Sequence, residues 1–132
     1  MIINAENTIL GRMASAAAKH AAQGEEVVIV NCEKAIVKNP DSTTKRYLEL
    51  MDIGQPQQGP YIHRRADMFV RRVVRGMLPY KKAKGKKAYS QVTCFIGVPD
   101  HLSKEKMEVF GTPITKGKTI TVGQLCSSIG AK

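Results

Sequence analysis

Apolar residues at Leu10, Met13, Ala14, Ala17 and Ala21 are spaced in helical steps and leave Arg12, Ser15 and Lys19 on the other side. Ahead of them, Met1–Ala5 is short and apolar enough for a buried strand. Behind them, Gly24 stands where a helix-ending glycine belongs. Val27-Val-Ile-Val30 is an unbroken β-branched run, the pattern of a strand buried on both faces. Strand, helix and strand in this order predict a βαβ unit with a parallel pair. Ala35–Val37 predicts a further short strand, stopped at Asn39-Pro40. Residues 41–52 predict a helix with Asp41 or Ser42 as N-cap and Leu48, Leu50 and Met51 as its apolar contacts.

Gly54–Pro60 is a loop by composition. The next helix is expected over 66–78, with Ala66, Phe69, Val70, Val73 and Met77 as one apolar stripe. Packing that stripe on a core turns Arg71, Arg72 and Arg75 outward. Pro79 stops the helix, and 81–87 then predicts a basic loop with Gly85 for bending. Val92–Gly97 resumes as a strand, residues 100–118 are polar and weakly patterned, and 120–126 predicts a short helix capped by Thr121. No internal repeat and no linker divides the 132 residues, so a single domain over 1–132 is expected.

Charge changes the picture most. The net charge is +10, and residues 63–87 hold ten Arg and Lys against Asp67 alone, whereas the other 107 residues nearly balance. A block of this kind repels itself on folding, and a polyanion relieves that repulsion. Nucleic acid is therefore favoured over an anionic membrane surface or a merely solvated face. The longest aliphatic run is four residues, far short of the ~20 that span a bilayer. The N-terminus lacks the basic-then-apolar pattern of a secretory signal. Cys32, Cys94 and Cys126 lie too far apart for a Cys-x-x-Cys, which argues for free thiols in a reducing cytosol.

Catalytic and cofactor patterns fail on inspection. Gly54 and Gly59 have phosphate-loop spacing, but Pro60 and Tyr61 stand where Lys and Ser/Thr must act on phosphate and Mg²⁺. Gly117-Lys-Thr119 has its partner glycine, Gly111, one position too far away. His20, His63 and His101 are some 40 residues apart, without metal-ligand spacing. Neither an enzyme nor a bound cofactor or metal is expected. The basic segment offers different chemistry. Arginine forks grip phosphate oxygens and stack on bases, lysines act as point charges, and Tyr61, His63 and Tyr80 are able to stack on unpaired bases.

Several runs carry a family likeness. Leu10-Gly-Arg-Met-Ala-Ser15, Val27-Val-Ile-Val-Asn-Cys-Glu-Lys34, Gly59-Pro-Tyr-Ile-His-Arg-Arg65, Arg75-Gly-Met-Leu-Pro79, Phe95-Ile-Gly-Val-Pro99 and Lys118–Cys126 resemble the large ribosomal subunit protein thirteen family, in its archaeal and eukaryotic branch. Ala66 departs from it, standing where the family commonly has proline at the helix start. The resemblance implies a three-layer α/β/α fold on a central four-stranded, mostly parallel sheet, with a basic helix-loop extension. It also implies a non-catalytic cytoplasmic role in the large subunit, in contact with ribosomal RNA and neighbouring ribosomal proteins, with no membrane and no small-molecule substrate. The expected RNA-binding segment is 59–88. Its contacts are His63, Arg64, Arg65, Arg71, Arg72, Arg75, Tyr80, Lys81, Lys82, Lys84, Lys86 and Lys87, joined by Arg12. The alternative is a general RNA- or DNA-binding module outside the ribosome.

Overall fold

The structure, a computed structural model, describes residues 1–111 and 116–131. In chain order the elements are β1 (Ile2–Asn4), α1 (Leu10–Ala22), β2 (Val27–Val30), β3 (Ile36–Lys38), α2 (Pro40–Asp52) and α3 (Ala66–Gly76). They continue with α4 (Ala83–Ser90), β4 (Val92–Cys94), β5 (Thr119–Thr121) and α5 (Val122–Ser128). Leu10, Met13, Ala14, Ala17 and Ala21 are all buried, so the periodicity of α1 is its packing face. Its end is a Schellman turn: Gly24 at φ +97° donates to the Ala21 carbonyl, and Glu25 donates to His20.

The class is α/β, but the central sheet has three strands rather than four. β1, β2 and β4 lie in the order β1-β2-β4, all parallel, with Ile2 opposite Val28 and Val27 opposite Val92. Beside β1 a fourth position is reduced to a single bridge, where Glu108 donates to the Ile2 carbonyl (2.8 Å) and accepts from Asn4 (2.9 Å). The strand expected at 35–37 forms, but elsewhere: β3 pairs antiparallel with β5 in a separate ribbon. The cause lies just after β2. Asn31 adopts a left-handed φ of +56°, tolerated by asparagine, and a 3-10 turn over Cys32–Lys34 carries the chain out of the sheet.

Alternating residues of the three strands feed two clusters. Ile3, Val27, Ile29 and Val92 join the main core with α1, α3 and α5. Ile2 and Val30 turn to the other face, where Leu102, Phe95 and Met107 cover them. That second layer draws on no α-helix among the described residues, so the implied α/β/α sandwich is helical on one side only.

α2 forms where expected, but Asn39 is its cap position and Pro40 its first residue, with no side-chain cap bond from Asp41 or Ser42. None of its residues is fully buried. Tyr47 and Met51 lean on the core, whereas Leu48 is 43% exposed. Thr121 does cap α5, in a reciprocal box: its hydroxyl accepts from the Gln124 N–H at 3.2 Å, and the Gln124 side chain accepts from the Thr121 N–H at 3.3 Å. The three cysteines are unbridged. The neighbouring Cys94 side chain and burial both push the Cys32 thiol up, and the thiol donates to the Ile29 carbonyl at 3.6 Å. Burial pushes Cys126 up to about 11. Neither thiol is a ready nucleophile at neutral pH.

Candidate nucleic-acid interface

The basic segment begins in the stretch leading into α3. His63, Arg64 and Arg65 are exposed. Arg64 lays its guanidinium against Gly130 at the end of α5, and Arg65 pairs with Asp67 at 2.9 Å. A cleft of about 430 Å³ opens here, with Ala66, Ile96 and Cys126 among its walls.

α3 does not pack as its spacing predicts. The buried positions are Ala66, Phe69, Val70 and Val74, followed by Leu78, whereas Val73 is half-buried and Met77 is 44% exposed. Four-residue steps from Ala66 to Leu78 turn the buried face toward Arg71. The consequence is chemical, and it corrects the expectation of three outward arginines. Arg71 donates to the Val92 carbonyl at 3.0 Å and to Tyr89 at 3.5 Å, and its guanidinium lies 4.4 Å from the centre of the Tyr89 ring. Arg72 donates to the Tyr61 carbonyl at 2.6 Å, tying the preceding loop to the helix. Arg75 sits over the Tyr80 ring at 5.2 Å, and Tyr80 meets Tyr89 edge-on at 5.4 Å. These cations and rings form one ladder, Arg71–Tyr89–Tyr80–Arg75, between α3 and α4.

The second correction is α4 itself. The stretch expected as a loop is helical from Ala83, with Lys81 and Lys82 in the turn before it. Lysine and alanine are good helix formers, but Lys82 and Lys84 stand at the positive end of the helix dipole. Such placement is unfavourable by a few tenths of a kcal/mol each, and a bound anion offsets it. Gly85 is buried, and a Cβ there would collide with the Pro79 carbonyl. Close approach, not bending, is its role. Ala88 packs beside it, and α4 rests on the C-terminal end of α1 near Ala21 and Ala22. Lys81, Lys82, Lys84, Lys86 and Lys87 are all exposed, and none pairs with a carboxylate among the described residues.

Arg12 is exposed in the first turn of α1. Ten residues separate it from Ala22, about 15 Å of helix, so the fold does not bring it to the α4 lysines. Tyr89 and Gly85 escaped the sequence reading as positioning residues. The available signal was a pair of tyrosines flanking the lysine run. Among the described residues no cluster of His, Cys, Asp and Glu has metal-holding geometry, and no helix is long and apolar enough to cross a membrane.

The arrangement provides a lysine-studded helix beside an arginine–tyrosine ladder. Comparisons with known proteins agree with the family likeness. The family model described as ribosomal protein L13 matches residues 1–101. A protein of Methanococcus maripaludis named large ribosomal subunit protein uL13 is 42% identical, covering 100% of this chain and 98% of its own length. Proteins of the same name from Methanocaldococcus jannaschii and Methanococcoides burtonii are 40% and 38% identical, each over 99% of this chain and 98% of their own. On a match of this extent, the chain belongs to the ribosomal protein L13 family.

Proposed function

We propose that this chain is a non-catalytic constituent of the large ribosomal subunit in the cytoplasm, where it binds ribosomal RNA, touches neighbouring ribosomal proteins and supports assembly and translation. The observation that carries the reading is the row of five exposed lysines over 81–87, free of carboxylates among the described residues, in a chain of this family. The RNA-binding surface proposed within a single domain over 1–132 is the segment 59–88. Lys81, Lys82, Lys84, Lys86 and Lys87 supply charge, and His63, Arg64, Arg65, Arg75 and Tyr80 supply oriented contacts. Arg71 and Arg72, engaged with backbone carbonyls, act chiefly by positioning that surface. Arg12 contributes a separate contact from α1.

Sedimentation tests this reading. The purified chain is expected to sediment with archaeal large subunits and not with small subunits at moderate salt, and to be released as salt rises. Equal retention by unrelated RNA or duplex DNA would instead mark a general nucleic-acid-binding module.

A further inference from the structure

Gly76 has no evident reason to be glycine in the protein alone. It is the last residue of α3, its φ is not positive, and a Cβ built there meets nothing within 4 Å. Glycine is a poor helix former, and the left-handed turn that so often demands it at helix ends is absent here. Gly85 is the instructive contrast, because there a Cβ would strike the Pro79 backbone. The open space beside Gly76 belongs to a concavity of about 570 Å³ bordered by Arg75, Leu78, Pro79, Tyr80, Lys81 and Lys82. Three cations and no carboxylate line it. Leu78 and Pro79 offer apolar surface, and Tyr80 is 39% exposed.

We propose that this concavity is a nucleotide pocket, which takes one unpaired nucleotide of ribosomal RNA whose backbone passes close over Gly76. The proposal rests on the RNA-binding reading above and assigns a place to one nucleotide within it. The base stacks against Tyr80, which is held by its edge-on contact with Tyr89 and by Arg75 above it. Lys81 and Lys82 meet the adjoining phosphates, and the missing side chain at 76 gives the sugar-phosphate its path. Planar ring, apolar floor and flanking cations match the three parts of a nucleotide. An acidic peptide would satisfy the cations but leave the tyrosine face unused.

Gly76→Leu fills the pocket mouth without removing a cation or the ring. With transcripts of archaeal large-subunit RNA, this variant should bind on the order of tenfold more weakly, with thermal stability equal to or above wild type. Independently of any variant, wild-type chain irradiated with 4-thiouridine-substituted transcripts should carry a nucleotide adduct on the tryptic peptide Gly76–Lys81. Wild-type affinity in Gly76→Leu, or adducts confined to other peptides, would overturn the pocket while leaving RNA binding intact. Wild-type chain that fails to prefer large-subunit RNA over unrelated RNA would remove the underlying reading and the pocket with it.

Discussion

α3 and α4 carry the same charge excess in opposite ways. In α3, Arg71 and Arg72 spend their guanidinium forks on the carbonyls of Val92, Tyr89 and Tyr61, and Arg75 covers Tyr80. In α4 and the turn before it, five lysines point into solvent with no carboxylate partner among the described residues. The helices are neighbours, yet one uses its cations to build the surface and the other presents them. Residue chemistry explains the division. A planar fork with five donors can satisfy backbone carbonyls while stacking on a ring, whereas an ammonium on a flexible stem gains most from remaining hydrated until a phosphate arrives. Net charge over 63–87 therefore overstates the number of cations open to a partner.

The sharpest way to break this comparison is at the joint between the two helices. Gly85→Ala forces a Cβ into the Pro79 carbonyl, and backbone cannot step aside as a flexible side chain would. Overpacking of this kind should cost about 2–3 kcal/mol in denaturant unfolding and shift α4 away from Tyr80. Unchanged stability would mean that α4 does not dock through Gly85. Next in size is Arg71→Gln. It loses a charge-assisted bond to Val92 and the stack on Tyr89 at a half-exposed site, for an expected cost of about 1–2 kcal/mol. Its RNA affinity should retain the wild-type salt slope, because Arg71 is already engaged within the protein. A lowered slope at wild-type stability would return Arg71 to the outward-facing cations.

What was legible in the chain follows from the same distinction. α1 could be read because its apolar steps, its small alanines and Gly24 all favour one outcome, and the Thr121 cap was readable from a local pattern of the same kind. α4 could not. It is eight residues long, holds a glycine and carries lysine at the wrong end of its dipole, so only packing on α1 and on the Pro79 turn makes it a helix. The inward turn of Arg71 also lay beyond reach. On α3 both Val73 and Val74 are apolar, and a choice between them rotates the buried face toward or away from that arginine. β3 left the parallel sheet through a turn at Asn31 that leaves little trace in hydrophobic pattern. Charge clustering located the candidate surface, but which cations are tied down is settled by carbonyls distant in sequence.

The smallest expected effect on stability is the most diagnostic for α4. Lys84→Gln, Lys86→Gln and Lys87→Gln remove exposed charges with no partner to orphan, so each should leave unfolding free energy within about 0.5 kcal/mol of wild type. Binding should respond differently. Each lysine that neutralises a phosphate releases counterions, so each change should flatten the log–log salt dependence by about 0.7–0.9, depending on how duplex-like the RNA is. Discrimination among RNAs should hardly move, since a point charge reads no base edge. Measured beside Arg71→Gln, the lysine changes separate two kinds of cation: one alters slope without stability, the other stability without slope. If a variant carrying all three changes kept the wild-type slope, the phosphates would have to lie elsewhere, with Lys81 and Lys82 before α4 and His63, Arg64 and Arg65 beside the α5 end as the remaining exposed bases of the segment.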